Sequence, residues 1–246
     1  MTKIKCIIAA GGLGTRLLGF RDNENTKMIL EVNGTPMINR QIDQLIDWGL
    51  NDFVVITNPE FKDLMKEVIQ DRFPDKNFEY AIQEEPKGIS HALLQGKEYM
   101  EDIDTTVFVL GDNFFEKNPL ANVEIESDSF KKGCSIFTYN VNNPSDFGVA
   151  VMDTEGKVID IEEKPENPKS NKAIVGLYIY DNTVIEKIDT LKPSARGEYE
   201  ITDLNNLYIK EGLCKSIEVN GWWIDAGTPE RIEELETKLI LSLIHI

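Results

Sequence analysis

Basic residues are scarce in this chain: 26 lysines and arginines stand against 43 aspartates and glutamates among 246 residues, a formal net charge of −17. A field of that sign repels polyphosphate backbones and anionic headgroups, so DNA, RNA and membrane surfaces are not expected partners. Cysteine is rarer still. Cys6, Cys134 and Cys214 are odd in number, far apart, and have none of the spacings of a zinc or redox site, which points to the reduced cytoplasm. Long apolar runs are missing too: the one that opens the chain is too short for a signal-peptide core or a membrane span, and Met1 reads as the true start of a folded strand. Internal repeats and low-complexity linkers are absent.

What is present is ordinary globular material, 41% hydrophobic and 28% charged. A chain of this length sits at the upper edge of one α/β domain and should bury about 70% of its unfolded surface. A single domain is expected over residues 1–240, with halves of about 1–140 and 141–240. Residues 241–246, Leu-Ser-Leu-Ile-His-Ile, match the translation of a common transposase sequencing adaptor. A non-native tail is expected there, against the plainer reading of an apolar helix end, and His245 is given no function.

Over the first half, short apolar runs alternate with helical patterns, as parallel strands joined by crossover helices require. Strands are expected at 4–9, 53–56, 78–82, 106–110 and 134–139. One helix is expected from Thr35-Pro36, with threonine as cap and Ile38, Ile42, Leu45 and Ile46 on one face; another spans about 60–70; a third follows Gly88, capped by Ser90. Later come a hairpin, 148–152 and 157–161 around Asp153-Thr-Glu-Gly156, read as an insertion decorating the sheet, and a strand at 174–180. A helix near 202–210, a strand at 213–219 and a helix capped by Thr228-Pro229 complete the chain.

The sharpest motif is Ala9-Ala-Gly-Gly-Leu-Gly-Thr-Arg16, a glycine-rich loop directly after a hydrophobic strand. Glycines let backbone N–H groups approach phosphate oxygens, and an arginine adds a planar fork of donors. The dinucleotide pattern fails because position 17 is leucine, and the P-loop pattern fails because Phe20-Arg21 follow Gly19 where lysine and a hydroxyl are needed. A plain structural turn stays open. Lys27, past an irregular charged stretch, reads alone as a solvated lysine. Asp112 follows a buried strand at its carboxyl end, where open α/β sheets bind ligands, and Asp225 repeats that logic in Trp222-Trp-Ile-Asp-Ala-Gly-Thr228. Two such carboxylates could converge on one hard cation; each could equally cap a turn. In Glu162-Glu-Lys-Pro165 the lysine could face a phosphate and a glutamate could accept sugar hydroxyl protons, unless the charge run is simply solvated.

Taken together these segments resemble the sugar-nucleotide pyrophosphorylases, most closely the glucose-1-phosphate thymidylyltransferases. The resemblance is carried by residues 10–17, Thr26-Lys27, Val109-Leu-Gly-Asp-Asn113, Glu162-Glu-Lys-Pro165 with Pro168-Lys-Ser-Asn171, Gly176-Leu-Tyr178, the segments 191–198 and 200–203, and Trp223 to Thr228. It implies a Rossmann-like nucleotide-diphospho-sugar transferase fold, with a mixed, mostly parallel sheet flanked by helices and a small β insertion on the sugar side. It also implies the Mg²⁺-dependent reaction of dTTP with glucose 1-phosphate to give dTDP-glucose and pyrophosphate. Under it, Gly11, Gly12, Gly14 and Thr15 hold the nucleotide, Gln83 and Gly88 read the base, and Arg16, Lys27 and Lys164 are catalytic. Asp112 and Asp225 match the magnesium ligands; Gly148, Glu163, Lys164, Val175 and Trp223 line the sugar-phosphate side. The protein's own partners are then small-molecule substrates, with a homo-oligomer left open.

Several positions depart from the family pattern: Leu18-Gly19-Phe20, Met28, Glu31, Phe147, His91 and Val175. They leave UTP, CTP or another sugar phosphate as alternatives, with a glycosyltransferase or a non-catalytic nucleotide sensor further off.

Overall fold

The computed structural model describes residues 2–12, 14–22, 26–125 and 132–244. In chain order the first half holds β1 (Ile4–Ala9), β2 (Glu31–Val32), β3 (Thr35–Pro36), α1 (Met37–Asp47), β4 (Phe53–Thr57), α2 (Lys62–Arg72), β5 (Phe78–Ile82), α3 (Ile89–Gln95), β6 (Thr105–Leu110) and β7 (Asn113–Phe115). The second adds β8 (Cys134–Asn140), β9 (Gly148–Met152), β10 (Val158–Glu163), β11 (Lys172–Asp181), α4 (Val184–Asp189), α5 (Ile201–Lys210), β12 (Cys214–Glu218), β13 (Trp223–Asp225) and α6 (Pro229–Ile244).

β5, β4, β1 and β6 pair in parallel, β11 lies antiparallel beside β6, and β8 and β12 follow on its far edge. β11 is long enough to change partner along its near edge. Its residues Leu177 to Asp181 pair with β6, whereas Ala173 pairs with Val149 of β9, which carries β10. β10 and β11 run against the remaining strands, so the sheet is mixed and mostly parallel. The exchange of partner opens a fork past the carboxyl ends of β1 and β6.

Central strands buried on both faces need apolar residues of either parity, and the sequence supplies them. Ile8, Val55, Val107 and Val109 pack on one face with Met65 of α2 and Ile232 and Leu235 of α6. Ile7, Val54, Ile56 and Phe108 pack on the other with Leu93 of α3, Val184 of α4 and Leu204 of α5. The face expected on α1 is there: Ile38, Ile42 and Leu45 are fully buried, each side chain contributing about 1.5–3 kcal/mol. Among the described residues no helix is long and apolar enough to cross a membrane.

Two expected caps are corrected. Thr35-Pro36 does not start the helix; it pairs antiparallel with Glu31-Val32 across an Asn33-Gly34 turn whose residues both have positive φ, 46° and 71°. The signal was Asn-Gly, the strongest short hairpin cue, and the first helical N–H, that of Met37, goes to the Leu30 carbonyl at 3.0 Å. Ser90 sits inside α3, where its hydroxyl donates to the Glu200 carbonyl at 3.0 Å and Tyr199 O accepts its N–H at 3.2 Å. A distant segment caps that helix in place of a local side chain. Thr228 does cap α6, its hydroxyl oxygen accepting the Arg231 N–H at 3.4 Å. Residues 241–244 continue α6, and His245 and Ile246 lie outside the described residues.

Candidate active site

The glycine loop leaves β1 beside the end of β4, with the Ala10 N–H bonded to Ile56 O at 2.7 Å. Two of its glycines are required by space. A Cβ on Gly11 would lie 3.1 Å from Gln83 Oε1, and one on Gly14, already at φ +60°, would lie 2.9 Å from Lys27 Cβ. Only glycine takes a positive φ without penalty while letting another side chain in so close. A Cβ on Gly12 would make only ordinary contact with Lys27, 4.0 Å from Cε, and Leu13 lies outside the described residues. Thr15, Arg16 and Leu17 form a 3-10 turn that buries Leu17 and leaves Arg16 exposed at the cleft.

Lys27 begins a second short turn, capped by the Thr26 hydroxyl, which accepts the Met28 N–H at 3.4 Å. Its ammonium forms an ion pair with Asp112 Oδ2. The lysine that reads as solvated in isolation is therefore mostly enclosed, at 18% side-chain exposure. Asp112 follows β6, and the adjoining Gly111 N–H bonds to Ala9 O at 3.0 Å, tying the acid to the root of the glycine loop. β7 and β13 then pair antiparallel, with Asn113 opposite Asp225, and the Ala226 N–H donates to Asp112 O at 2.8 Å. This small ladder brings the two distant acids together.

Their charges are not independent. Burial pushes the Asp225 carboxyl up, and the Asp112 charge adds to it, to about 6, against the pull of Lys27, Arg231 and Arg16. For Asp112, burial acts in the same direction, but Lys27 and the Asn113 side chain outweigh it and hold the carboxyl below the usual range. Lys27 is likewise opposed by burial and by Arg16, yet Asp112 and then Asp225 raise it. Two desolvated acids sharing one site repel each other unless positive charge stands between them. Asp112 and Asp225 offer hard oxygen donors of the kind Mg²⁺ takes together with phosphate oxygens. No third His, Cys, Asp or Glu joins them among the described residues, which leaves the remaining coordination to phosphate and water.

Asn113, not singled out from the sequence, is the joint of the site. Its Oδ1 accepts the Gly176 N–H at 2.9 Å and the Trp223 indole N–H at 2.8 Å, while Nδ2 donates to Asp112 Oδ1 at 3.0 Å. It links the acids to β11 and to the sugar side. There a cleft of about 910 Å³ is walled by Arg16, Gly148, Glu163, Lys164, Trp223 and Asp225, among others. Gly148 is tight against Glu163, since a Cβ would come within 3.3 Å of Oε2, and the same Oε2 accepts the Thr202 hydroxyl at 2.6 Å. Lys164 takes φ +43°, a left-handed conformation uncommon outside glycine, while its N–H donates to Phe147 O at 3.0 Å. Among the described residues neither Arg16 nor Lys164 has a side-chain ion pair, so both charges are open to a ligand.

Two findings differ from the sequence reading. Val175 is fully buried in the core face of β11, and the cleft wall at that point is Ile174, Gly176 and Tyr178. Alternation along the strand turns residue 175 away from the cavity. Arg196, inside the matching segment but given no role, lines the cleft, held by Glu200 at 2.9 and 3.0 Å and Glu198 at 3.2 Å, and facing Glu163 at 3.7 Å. On the nucleotide side, Gln83 Nε2 donates to the Gly88 carbonyl at 3.3 Å, and Gly88 at φ +102° lies against Tyr199, whose oxygen a Cβ would meet at 2.6 Å. Gln83 and Gly88 are thus gathered beside the glycine loop.

Paired acids and unpaired cations around one opening at a strand switch suit an enzyme that works on phosphates, and comparison with known proteins agrees. The chain belongs to the nucleotidyl transferase family, whose model matches residues 5–240. It is 39% identical over 237 residues to a glucose-1-phosphate thymidylyltransferase of Xanthomonas campestris, covering 95% of this chain and 80% of the relative. It is 40% identical over 226 residues to that of Mycolicibacterium smegmatis, covering 90% and 77%. A solved structure from Bacillus anthracis, assigned provisionally to glucose-1-phosphate thymidylyltransferase and holding sucrose, superposes with a TM-score of 0.85 at 37% identity, covering 96% of this chain and 94% of that one. A UDP-glucose pyrophosphorylase with UDP-glucose shares the fold, with a TM-score of 0.84 at 23% identity.

Proposed function

We propose that this nucleotidyl transferase moves a thymidylyl group from dTTP to glucose 1-phosphate, releasing pyrophosphate and forming dTDP-glucose, with Mg²⁺ held by Asp112 and Asp225. The observation that carries the reading is the convergence of Asp112, Asp225 and Lys27 at one point of a cleft that Asp225 lines together with Arg16, Lys164 and Arg196. The relatives' names supply the base and sugar.

The reaction is an in-line displacement at the α-phosphorus. A phosphate oxygen of the sugar phosphate forms the new P–O bond, and the bond to the β-phosphate oxygen breaks, the electron pair leaving with pyrophosphate. The nucleophile needs no general base, because a phosphate monoester loses its second proton at about pH 6. The obstacle is bringing two anions together and neutralising charge on the transferring group. Gly11, Gly12, Gly14 and Thr15 cradle the triphosphate with backbone N–H groups, and Gln83 and Gly88 hold the base. Arg16, exposed between the two sides, carries the growing charge at the reacting centre, and Lys27 supports it from beneath. Lys164 and Arg196 take the sugar's phosphate, and Glu163, fixed by Thr202, accepts sugar hydroxyls. A magnesium ion, when bound, supplies Lewis-acid neutralisation of the phosphates.

Initial rates with dTTP, UTP and CTP against glucose 1-phosphate, followed by pyrophosphate release with and without Mg²⁺, test the proposal. Preference for dTTP, dependence on the metal and release of pyrophosphate are expected. Release of free nucleoside diphosphate from a finished nucleotide sugar would instead make the chain a glycosyltransferase.

A further inference from the structure

Arg231 is out of place by the local rules of helix chemistry. Thr228 caps α6, and Pro229, Glu230 and Arg231 open its first turn, which puts the arginine at the third helical position. A threonine cap is usually answered there by glutamate or glutamine, and the helix dipole makes positive charge unfavourable at that end. Such conflicts are expected where a site requires them. The helix also fixes where the side chain stands. Ile232 and Leu235 are fully buried, and Leu235 lies four residues beyond Arg231 on the same face, so Arg231 holds the cleft end of the face that α6 turns inward. It lines the cleft with Arg16, Asp225, Gly227 and Thr228. Of its side-chain nitrogens only Nη1 is engaged, by Glu234 Oε2 at 2.6 Å; Nε and Nη2 have no acceptor among the described residues. Glu234 steadies the fork without closing it, whereas Arg196 in the same cleft already meets three carboxylates.

The electrostatics of the paired acids place Arg231 among the cations of the reacting centre. Burial and then the Asp112 charge raise the Asp225 carboxyl, and of the positive groups opposing them Lys27 acts most, Arg231 next and Arg16 third. Coulomb attraction falls with distance, so Arg231 stands with Lys27 and Arg16 around the acids. We infer that Arg231 is a phosphate-binding residue of the transfer, holding the β- and γ-phosphates of the nucleotide and then the pyrophosphate that leaves. In an in-line displacement the entering and leaving oxygens lie on opposite sides of the α-phosphorus. Lys164 and Arg196 serve the entering sugar phosphate. Arg231 serves the leaving group, whose negative charge grows as the electron pair of the broken bond departs with it, and a planar fork with two free nitrogens suits two phosphate oxygens at once. The inference rests on the proposed nucleotidyl transfer and deepens it by giving the departing pyrophosphate a protein ligand that no motif in the sequence marks.

The test runs the reaction backwards, from dTDP-glucose, pyrophosphate and Mg²⁺, in the wild-type protein, Arg231→Gln and Arg231→Lys, and measures KM for glucose 1-phosphate in the forward direction. The side chain is 35% exposed, so glutamine fits without disturbing the core. Arg231→Gln should raise KM for pyrophosphate by about ten- to a hundredfold, the size of a lost charge-assisted bond, and leave KM for dTDP-glucose and for glucose 1-phosphate within about twofold. Arg231→Lys, which keeps the charge but not the fork, should recover part of the loss. Isothermal titration with magnesium pyrophosphate reads the same change in affinity without turnover. An unchanged KM and affinity for pyrophosphate in Arg231→Gln overturn the inference, as does a rise confined to glucose 1-phosphate, which would put the arginine on the sugar's phosphate; both leave nucleotidyl transfer intact. A wild type that forms no nucleoside triphosphate from pyrophosphate and either dTDP-glucose or UDP-glucose removes the reaction itself, and the inference with it.

Discussion

The two sides of the cleft are built by different means. The nucleotide side is made of backbone: a glycine loop and the turns after β4, β5 and β6, at the ends of parallel strands that neighbour one another. The sugar-phosphate side is made largely of side chains drawn from β10, β11, β13 and the segment before α5, with Glu163 held across the fold by Thr202 and Arg196 by the neighbouring Glu200. Short-range geometry fixes the first, and long-range packing fixes the second. Substitutions on one side should therefore act on one substrate, while a residue standing between the sides should act on the chemistry.

Arg16 is that residue, and Arg16→Ala is expected to lower kcat by about 10³ to 10⁵, the range for an arginine that meets transferring phosphoryl charge. Single-turnover rates at saturating substrates would check this, and an effect confined to the KM of one substrate would place Arg16 on one side only. Arg196→Ala should raise KM for glucose 1-phosphate by about ten- to a hundredfold, because a charge-assisted bond to phosphate is lost and three carboxylates, Glu163, Glu198 and Glu200, are left uncompensated. The KM for dTTP should move far less; equal changes in both would erase the distinction between the sides. The smallest effect is on stability: Lys164→Gly removes a side chain from a left-handed position, so thermal melting should show no loss beyond about 1 kcal/mol although activity falls. A large destabilisation would mean that the lysine side chain packs structurally.

The same contrast sets what was legible in the sequence. β1 and the acids at the ends of β6 and β13 could be read because each is announced locally, by an apolar run closed by glycine or aspartate. Lys27 could not be separated from a solvated lysine, since its partner lies across the fold at Asp112. Val175 comes to the sugar side only through the resemblance, and β11, buried almost throughout, carries no polar alternation that would show it facing the core. Thr35-Pro36 imitates a helix cap, and the Asn33-Gly34 cue outranked it. Asn113 and Arg196 lay inside recognised segments, but their work consists of contacts with β11, β13 and the acidic groups before α5, which no local pattern encodes.

Asp112 and Asp225, brought together by the β7–β13 ladder, are expected to act as one unit. A double-mutant cycle on kcat/KM at fixed Mg²⁺, with Asp112→Asn, Asp225→Asn and the pair together, measures that directly. If the two hold a single cation, either change removes most of the activity and the second costs little more. Losses that simply multiply would show two independent carboxylates and contradict the account.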